Sequence, residues 1–162
     1  MKKEEVCLLA MLLVSLVLLA IAGCQEITGF AAKEKQTALV TQVTDGDTIT
    51  IEGGTRVRLL GINSPEKGEK YFSDAKEFVK QKILYQEVEL ERDITNKDQY
   101  GRLLRYVWLG SELVNEYVVR QGLAIAQFYE PNHKYSDVMA AAEKQAIGEK
   151  LGIWSSIAAE QG

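Results

Sequence analysis

From Ala38 to Leu60 the apolar residues fall in short runs. These are Leu39, Val40 and Val43, then Thr48-Ile49-Thr50-Ile51, then Arg56-Val57-Arg58-Leu59-Leu60, divided at Asp45-Gly46 and Gly53-Gly54. Short runs split by Gly-containing turns predict three strands in a meander. The period then lengthens: from Ser73 to Tyr85, Ala75, Phe78, Val79 and Ile83 share one side and Lys76, Lys80 and Lys82 the other, which predicts a helix. Alternation returns in Gln86 to Arg92, with Val88 and Leu90 against Glu87, Glu89 and Glu91, and again in Arg102 to Leu109, leaving Asp93 to Gly101 as the loop between two strands. A helix is expected from Ser111 or Glu112 through Arg120, ended by Gly122 in the left-handed conformation, and a last one from Ser136 as N-cap through Met139, Ala142 and Ala146. The order βββ-α-ββ-α-α fits an α+β fold, a small antiparallel barrel of OB type packed against helices.

The N-terminus has a different pattern. Lys2 and Lys3 precede Val6 to Ala22, apolar except for Ser15, the form of an export signal. The run ends in Ile21-Ala22-Gly23-Cys24, which resembles the lipobox of prokaryotic lipoproteins, where cleavage before Cys leaves that Cys to receive a diacylglyceryl group. The preferred reading is therefore a signal peptide over residues 1–23 and a lipidated Cys24, whose two acyl chains hold a protein at a membrane far better than one. A spanning helix and an ordinary cleaved signal, giving a secreted protein, are the alternatives. Residues 24–37 read as a tether, 38–156 as the folded domain and 157–162 as a tail. Cys7 is discarded with the signal, so the mature chain has no disulfide.

Composition narrows the chemistry. With a single His, sites needing several imidazoles are excluded. The net charge of −4 argues against holding nucleic acid by bulk charge, so any phosphate site must be local. Three clusters carry candidate groups. Asp45-Gly46-Asp47-Thr48 puts two carboxylates where the chain reverses, although Asp-Gly is also a plain turn signal. Arg58 to Glu66 leads from a strand into Asn63-Ser64-Pro65-Glu66, which could equally be a helix start. Asn96 to Arg102 is a hairpin loop closing on Arg102, which could equally be a solvated surface charge.

Together these clusters resemble the staphylococcal nuclease (thermonuclease) family, colinearly over roughly residues 38 to 156. Val114-Asn115-Glu116, Val119 to Ala124 and Ile153-Trp154-Ser155 extend the match. The resemblance implies a five-stranded OB barrel with three helices and Ca²⁺-dependent hydrolysis of DNA and RNA with little sequence specificity. It also implies attack that breaks the 5′ P–O bond and leaves 3′-phosphates. It implies Asp47, Asn63 and the Ser64 carbonyl as Ca²⁺ ligands, a set of hard oxygens of the kind that ion prefers. Glu66 is implied as general base or water-orienting group, with Arg58 and Arg102 as donors to the phosphate as charge builds in the transition state. Asp45 would add negative field from behind the ligands, and Tyr100 and Tyr129 would meet the nucleotide.

Three departures accompany the match. Asn63 stands where the family usually has Asp, removing one negative charge and implying weaker Ca²⁺ binding. The Lys67 to Tyr71 segment is shorter than in the best-known member, and Gln99 replaces a Lys. A tyrosine expected just before Tyr129 is replaced by Gln127 or Phe128. The resulting expectation is a monomeric, exported, membrane-anchored nuclease preferring single strands and needing no obligate protein partner. The rival is an OB-fold nucleic-acid-binding lipoprotein with weak or no catalysis. Retention of Asp47, Arg58, Glu66 and Arg102 favours the enzyme.

Overall fold

The computed structural model of the chain describes residues 36–155. The expected signal peptide, Cys24 and the C-terminal tail lie outside the described residues, as does the tether as far as residue 35. Among the described residues no helix is long and apolar enough to cross a membrane.

Five strands form the barrel: β1 (Gln36–Val43), β2 (Thr48–Ile51), β3 (Arg56–Leu59), β5 (Glu87–Glu91) and β6 (Leu103–Leu109). β1 begins two residues before Ala38, because Gln36 and Thr37 pair with Leu90 and Glu89 of β5. Its other end pairs with β2, after an irregularity between Val40 and Gln42 that bends the strand from one partner to the other. β2 and β3 form the second hairpin, with Thr48 opposite Arg58, and β5 pairs antiparallel with β6. The sheet closes when β3 pairs with β6 in parallel, Val57 to Leu103 and Arg58 to Leu104. The barrel is therefore mixed rather than wholly antiparallel as expected. Closure leaves neither of these edges unpaired.

Three helices cover the barrel: α1 (Phe72–Ile83), α2 (Val114–Arg120) and α3 (Ser136–Gly148). They bury Ala75, Val79 and Ile83, then Val114, Val118 and Val119, then Met139, Ala142 and Ala146, against a core that includes Ile49, Val57, Leu59, Leu90 and Tyr106. Two helix boundaries differ from the periodicity. Tyr85 lies outside α1 at φ +60°, where its N–H donates to the Val40 carbonyl at 2.9 Å and so joins the chain to β1. Glu112 and Leu113 form a short strand, β7, paired with the end of β6, so α2 begins only at Val114. Ser136 starts α3 without a side-chain cap bond.

A two-residue ribbon completes the scaffold: β4 (Ile62–Asn63) pairs antiparallel with β8 (Ile125–Ala126). Asn115, fully buried, ties it to the barrel by donating to the Leu60 and Arg105 carbonyls and accepting from the Val107 N–H. Such an internal amide, with its groups paired, fixes the chain leaving β3 relative to β6.

Candidate active site

The alternation of β3 decides where its arginine goes. Val57 and Leu59 are wholly buried in the core, so Arg58 between them projects to the opposite face, beside its cross-strand partner Thr48. The β1–β2 turn brings Asp45 and Asp47 to the same end. Gly46 is required there by space: a Cβ would lie 2.7 Å from Ser64 Cβ and 2.8 Å from Ala75 Cβ. The tight approach seats the carboxylate of Asp47 against the chain that follows β4. Asp47 Oδ2 accepts the Ser64 N–H at 2.7 Å, and Oδ1 accepts the Thr48 hydroxyl at 3.0 Å.

A cleft of about 600 Å³ opens over this turn. Asp45, Asp47, Arg58, Asn63, Glu66, Tyr100, Arg102 and Tyr129 all border it, whereas Ser64 is buried beside it. Arg58 Nη2 lies 3.1 Å from Asp47 Oδ2 and donates to Asn63 Oδ1, also at 3.1 Å. Its Nη1 donates to the carbonyls of Leu59 and Ile62 at 2.7 and 2.8 Å. Both terminal nitrogens are thus engaged by the protein, and Arg58 braces the turn between β3 and β4 as well as facing the cleft. Arg102 is held differently. Its Nε donates to Asp98 Oδ2 at 2.6 Å, while Nη1 reaches Thr48 Oγ1 at 3.4 Å.

The electrostatics follow from this layout. Burial and the neighbouring charge of Asp47 push the Asp45 carboxyl above its ordinary value, despite the Asp47 N–H donated to its Oδ1 at 3.0 Å. Two carboxylates held this close favour a cation between or beside them. The donor set available to one is entirely oxygen: two carboxylates, the Asn63 amide and backbone carbonyls, which fits Ca²⁺ in kind. With Asn at position 63, the described residues contain no group of three or more His, Cys, Asp or Glu side chains able to hold a metal ion. A calcium ion held here would have to draw on neutral oxygens and water for most of its shell.

Asp98 was not singled out by the sequence reading, although it organises Arg102. Besides the guanidinium, it accepts the N–H groups of Tyr100 and Arg102, each at 3.0 Å. Burial pushes its carboxyl up, but these donors and the Arg102 charge bring it below the ordinary range. An Asp followed three residues later by Gly101 is a turn signal that could have suggested the role. Tyr100 and Tyr129 stand at the rim, each 66% exposed. Gln127 also borders the cleft and donates to the Tyr129 hydroxyl at 2.6 Å, whereas Phe128 packs towards Gly61.

The segment carrying Tyr129 is fastened from below. Asn132 Oδ1 accepts the Thr95 N–H at 2.8 Å, and Asp93 Oδ2 accepts the Lys134 N–H at 3.0 Å. Glu91, buried at 3% exposure, accepts from Lys134 Nζ, the Tyr135 hydroxyl and the Trp108 indole. Burial pushes its carboxyl up, yet these donors hold it below its usual value. Strand alternation groups Glu91 with Glu87 and Glu89 against Val88 and Leu90, and nothing in that period distinguishes it.

Comparison with known proteins extends the picture. A family model described as staphylococcal nuclease homologue matches residues 56–156. The chain is 37% identical over 156 residues to a thermonuclease of Staphylococcus hyicus, covering 91% of this chain and 92% of that protein. It is 43% identical over 125 residues to a thermonuclease of Staphylococcus intermedius, covering 72% and 74% respectively. To an SPbeta prophage-derived endonuclease of Bacillus subtilis it is 38% identical over 134 residues, which span 76% of this chain but 45% of that longer protein.

Proposed function

Because the chain belongs to the staphylococcal nuclease family and is a phosphodiester-hydrolysing endonuclease, we propose that its cleft cleaves DNA and RNA in a Ca²⁺-dependent reaction with little sequence specificity and a preference for single strands. The observation that carries this reading is the meeting of Asp47 Oδ2 and Asn63 Oδ1 at Arg58 Nη2, each 3.1 Å from that nitrogen, beside Arg102 and Glu66 in one cleft.

Asp47, the Asn63 amide oxygen and the Ser64 carbonyl would hold the calcium ion, with Asp45 supplying negative field from behind. When bound, that ion supplies Lewis-acid polarisation of a phosphate oxygen. The remaining work falls to side chains. Glu66, exposed at the cleft wall, takes a proton from the attacking water or orients it. As water adds to phosphorus and the 5′ P–O bond breaks, negative charge grows on the non-bridging oxygens, and the departing 5′ oxygen takes a proton from solvent water to leave as a hydroxyl. Arg102, pre-oriented by Asp98, is the better-placed guanidinium to meet that charge because its terminal nitrogens are less committed. Arg58 can contribute through Nε or by exchanging its contact with Asn63. Tyr100 and Tyr129 offer faces or hydroxyls to the nucleotide.

The same proposal includes export and anchoring of a monomer: a signal over residues 1–23, a lipidated Cys24, a short tether and the folded domain. The apolar run from Val6 to Ala22 and the Ile21 to Cys24 sequence support it. The direct test is digestion of single-stranded DNA and RNA with added Ca²⁺ and with excess chelator. Ca²⁺-supported release of nucleotides bearing 3′-phosphates is the expected outcome, and equal digestion under both conditions would remove calcium from the account.

A further inference from the structure

Asn63 borders more than the catalytic cleft. It also lines an open groove of about 500 Å³, together with Pro65, Lys70, Tyr71 and Ile125. Tyr71 sits there at φ +68°, the left-handed region that non-glycine residues rarely adopt, as the residue immediately before α1. Its hydroxyl shares a 2.6 Å hydrogen bond with Ser155 Oγ, which ties the ring to the C-terminal end of the domain. Lys70 Nζ lies 4.9 Å from the centre of that ring. Glu69, the acidic residue on this wall, already accepts the Glu66 N–H at 2.7 Å. The groove therefore joins an ammonium, an aromatic ring and an apolar floor from Pro65 and Ile125. These are the groups that hold a phosphate and a base in sequence-tolerant single-strand sites.

The shared residue Asn63 points to the occupant. Asn63 borders both the cleft and the groove, so a strand whose phosphate lies against Arg102 and Asp47 has the groove beside it. We infer that this groove seats the nucleotide flanking the one held in the catalytic cleft, with Lys70 on its phosphate and Tyr71 against its base. The inference rests on the reading of the cleft as the phosphodiester site, and it makes Lys70 and Tyr71 determinants of how strongly longer strands are favoured.

The test uses the full chain in detergent micelles with Ca²⁺ and a series of oligothymidylates from dimer to hexamer. The ratio of kcat/KM for hexamer to that for dimer should fall about 5-fold in Lys70→Ala, chiefly through KM on the hexamer. The plot of log(kcat/KM) against log salt for the hexamer should become shallower by about 0.7, the loss of one single-strand phosphate contact. Tyr71→Leu should lower the length ratio while leaving the salt slope unchanged. Lys67→Ala, an exposed lysine on the same loop that does not line the groove, should keep the wild-type ratio. A wild-type ratio and slope in Lys70→Ala, or an equal loss in Lys67→Ala, overturns the inference. Arg102→Ala separates the two readings: if it retains turnover, the cleft reading falls and the groove with it, whereas an inactive Arg102→Ala beside an unaltered Lys70→Ala overturns the groove alone.

Discussion

Removing the guanidinium of Arg58 should damage the fold as well as the reaction, unlike removal of Arg102. Arg58→Ala leaves the Leu59 and Ile62 carbonyls without the donors that meet them at 2.7 and 2.8 Å, and strips Asp47 of its ion-pair partner at 3.1 Å. The side chains of that pair are 14% and 8% exposed, so water replaces little of what is lost. Breaking a fully buried pair costs about 3–5 kcal/mol. Asp47 keeps the Ser64 N–H and the Thr48 hydroxyl, which lowers the expected cost to roughly 2–3 kcal/mol. Arg102 and Asp98 are more exposed, at 23% and 17%, and their ion pair stands nearer the surface. Arg102→Ala should therefore cost about 1 kcal/mol or less. Urea unfolding in chelator, followed by tyrosine and tryptophan fluorescence, reads both values. Asp47→Asn should reduce the cost of Arg58→Ala by about 1–2 kcal/mol, because the ion pair has then already been lost. Turnover at a temperature where both arginine variants are folded should fall on the order of 10²-fold in each. Equal stability losses in Arg58→Ala and Arg102→Ala would refute the bracing role assigned to Arg58.

Three further outcomes follow from the site and the N-terminus. Asp45→Asn should stabilise the protein near neutral pH in chelator. The folded Asp45 carboxyl is raised above its unfolded value, so its penalty is absent below the ordinary carboxylate range and develops as pH rises through the raised value; a stability difference from wild type that does not shrink on acidification contradicts this, and Ca²⁺ should reverse the ranking. Asn63→Asp should lower the Ca²⁺ concentration for half-maximal activity and for half-maximal thermal stabilisation, with Asn63→Ala raising both, so identical midpoints in all three proteins would remove Asn63 from the ligand set. Cys24→Ser should abolish fatty-acid labelling and leave either an uncleaved precursor or a protein released from the membrane, and absence of label in the wild type in a host with lipoprotein processing would exclude the anchor.

The sequence patterns and the structure agree most closely where one period dominates. The core faces of β2 and β3, and the Val79 and Ile83 face of α1, follow directly from spacing, and the Asp-Gly turn correctly located the two carboxylates. Parallel closure between β3 and β6 is a pairing across more than forty residues, and a strand period carries no information about its partner. Tyr85 left its helix because Val40, far away in the chain, offered a carbonyl. The paired two-residue strands β4 and β8 are too short to have a period at all. In the site, the charged residues were recognisable from ordered motifs and Asp98 holds Arg102 within a single local turn, whereas Glu91 has a role set by a distant segment that folds onto it. Arg58, whose motif suggests a phosphate donor, also braces the fold through two carbonyl contacts that no local pattern announces.

Hydrolysis of phosphodiesters in this cleft through an oxygen-lined Ca²⁺ site can be read from acid-soluble nucleotide release from single-stranded DNA. The measurement uses the purified chain from Gln25 onward, with a Ca²⁺ titration, a chelator control and Asp47→Ala in parallel. Release is expected to saturate with Ca²⁺, to cease in chelator and to be lost in folded Asp47→Ala. Undiminished release in chelator, or by folded Asp47→Ala, would contradict hydrolysis through that site.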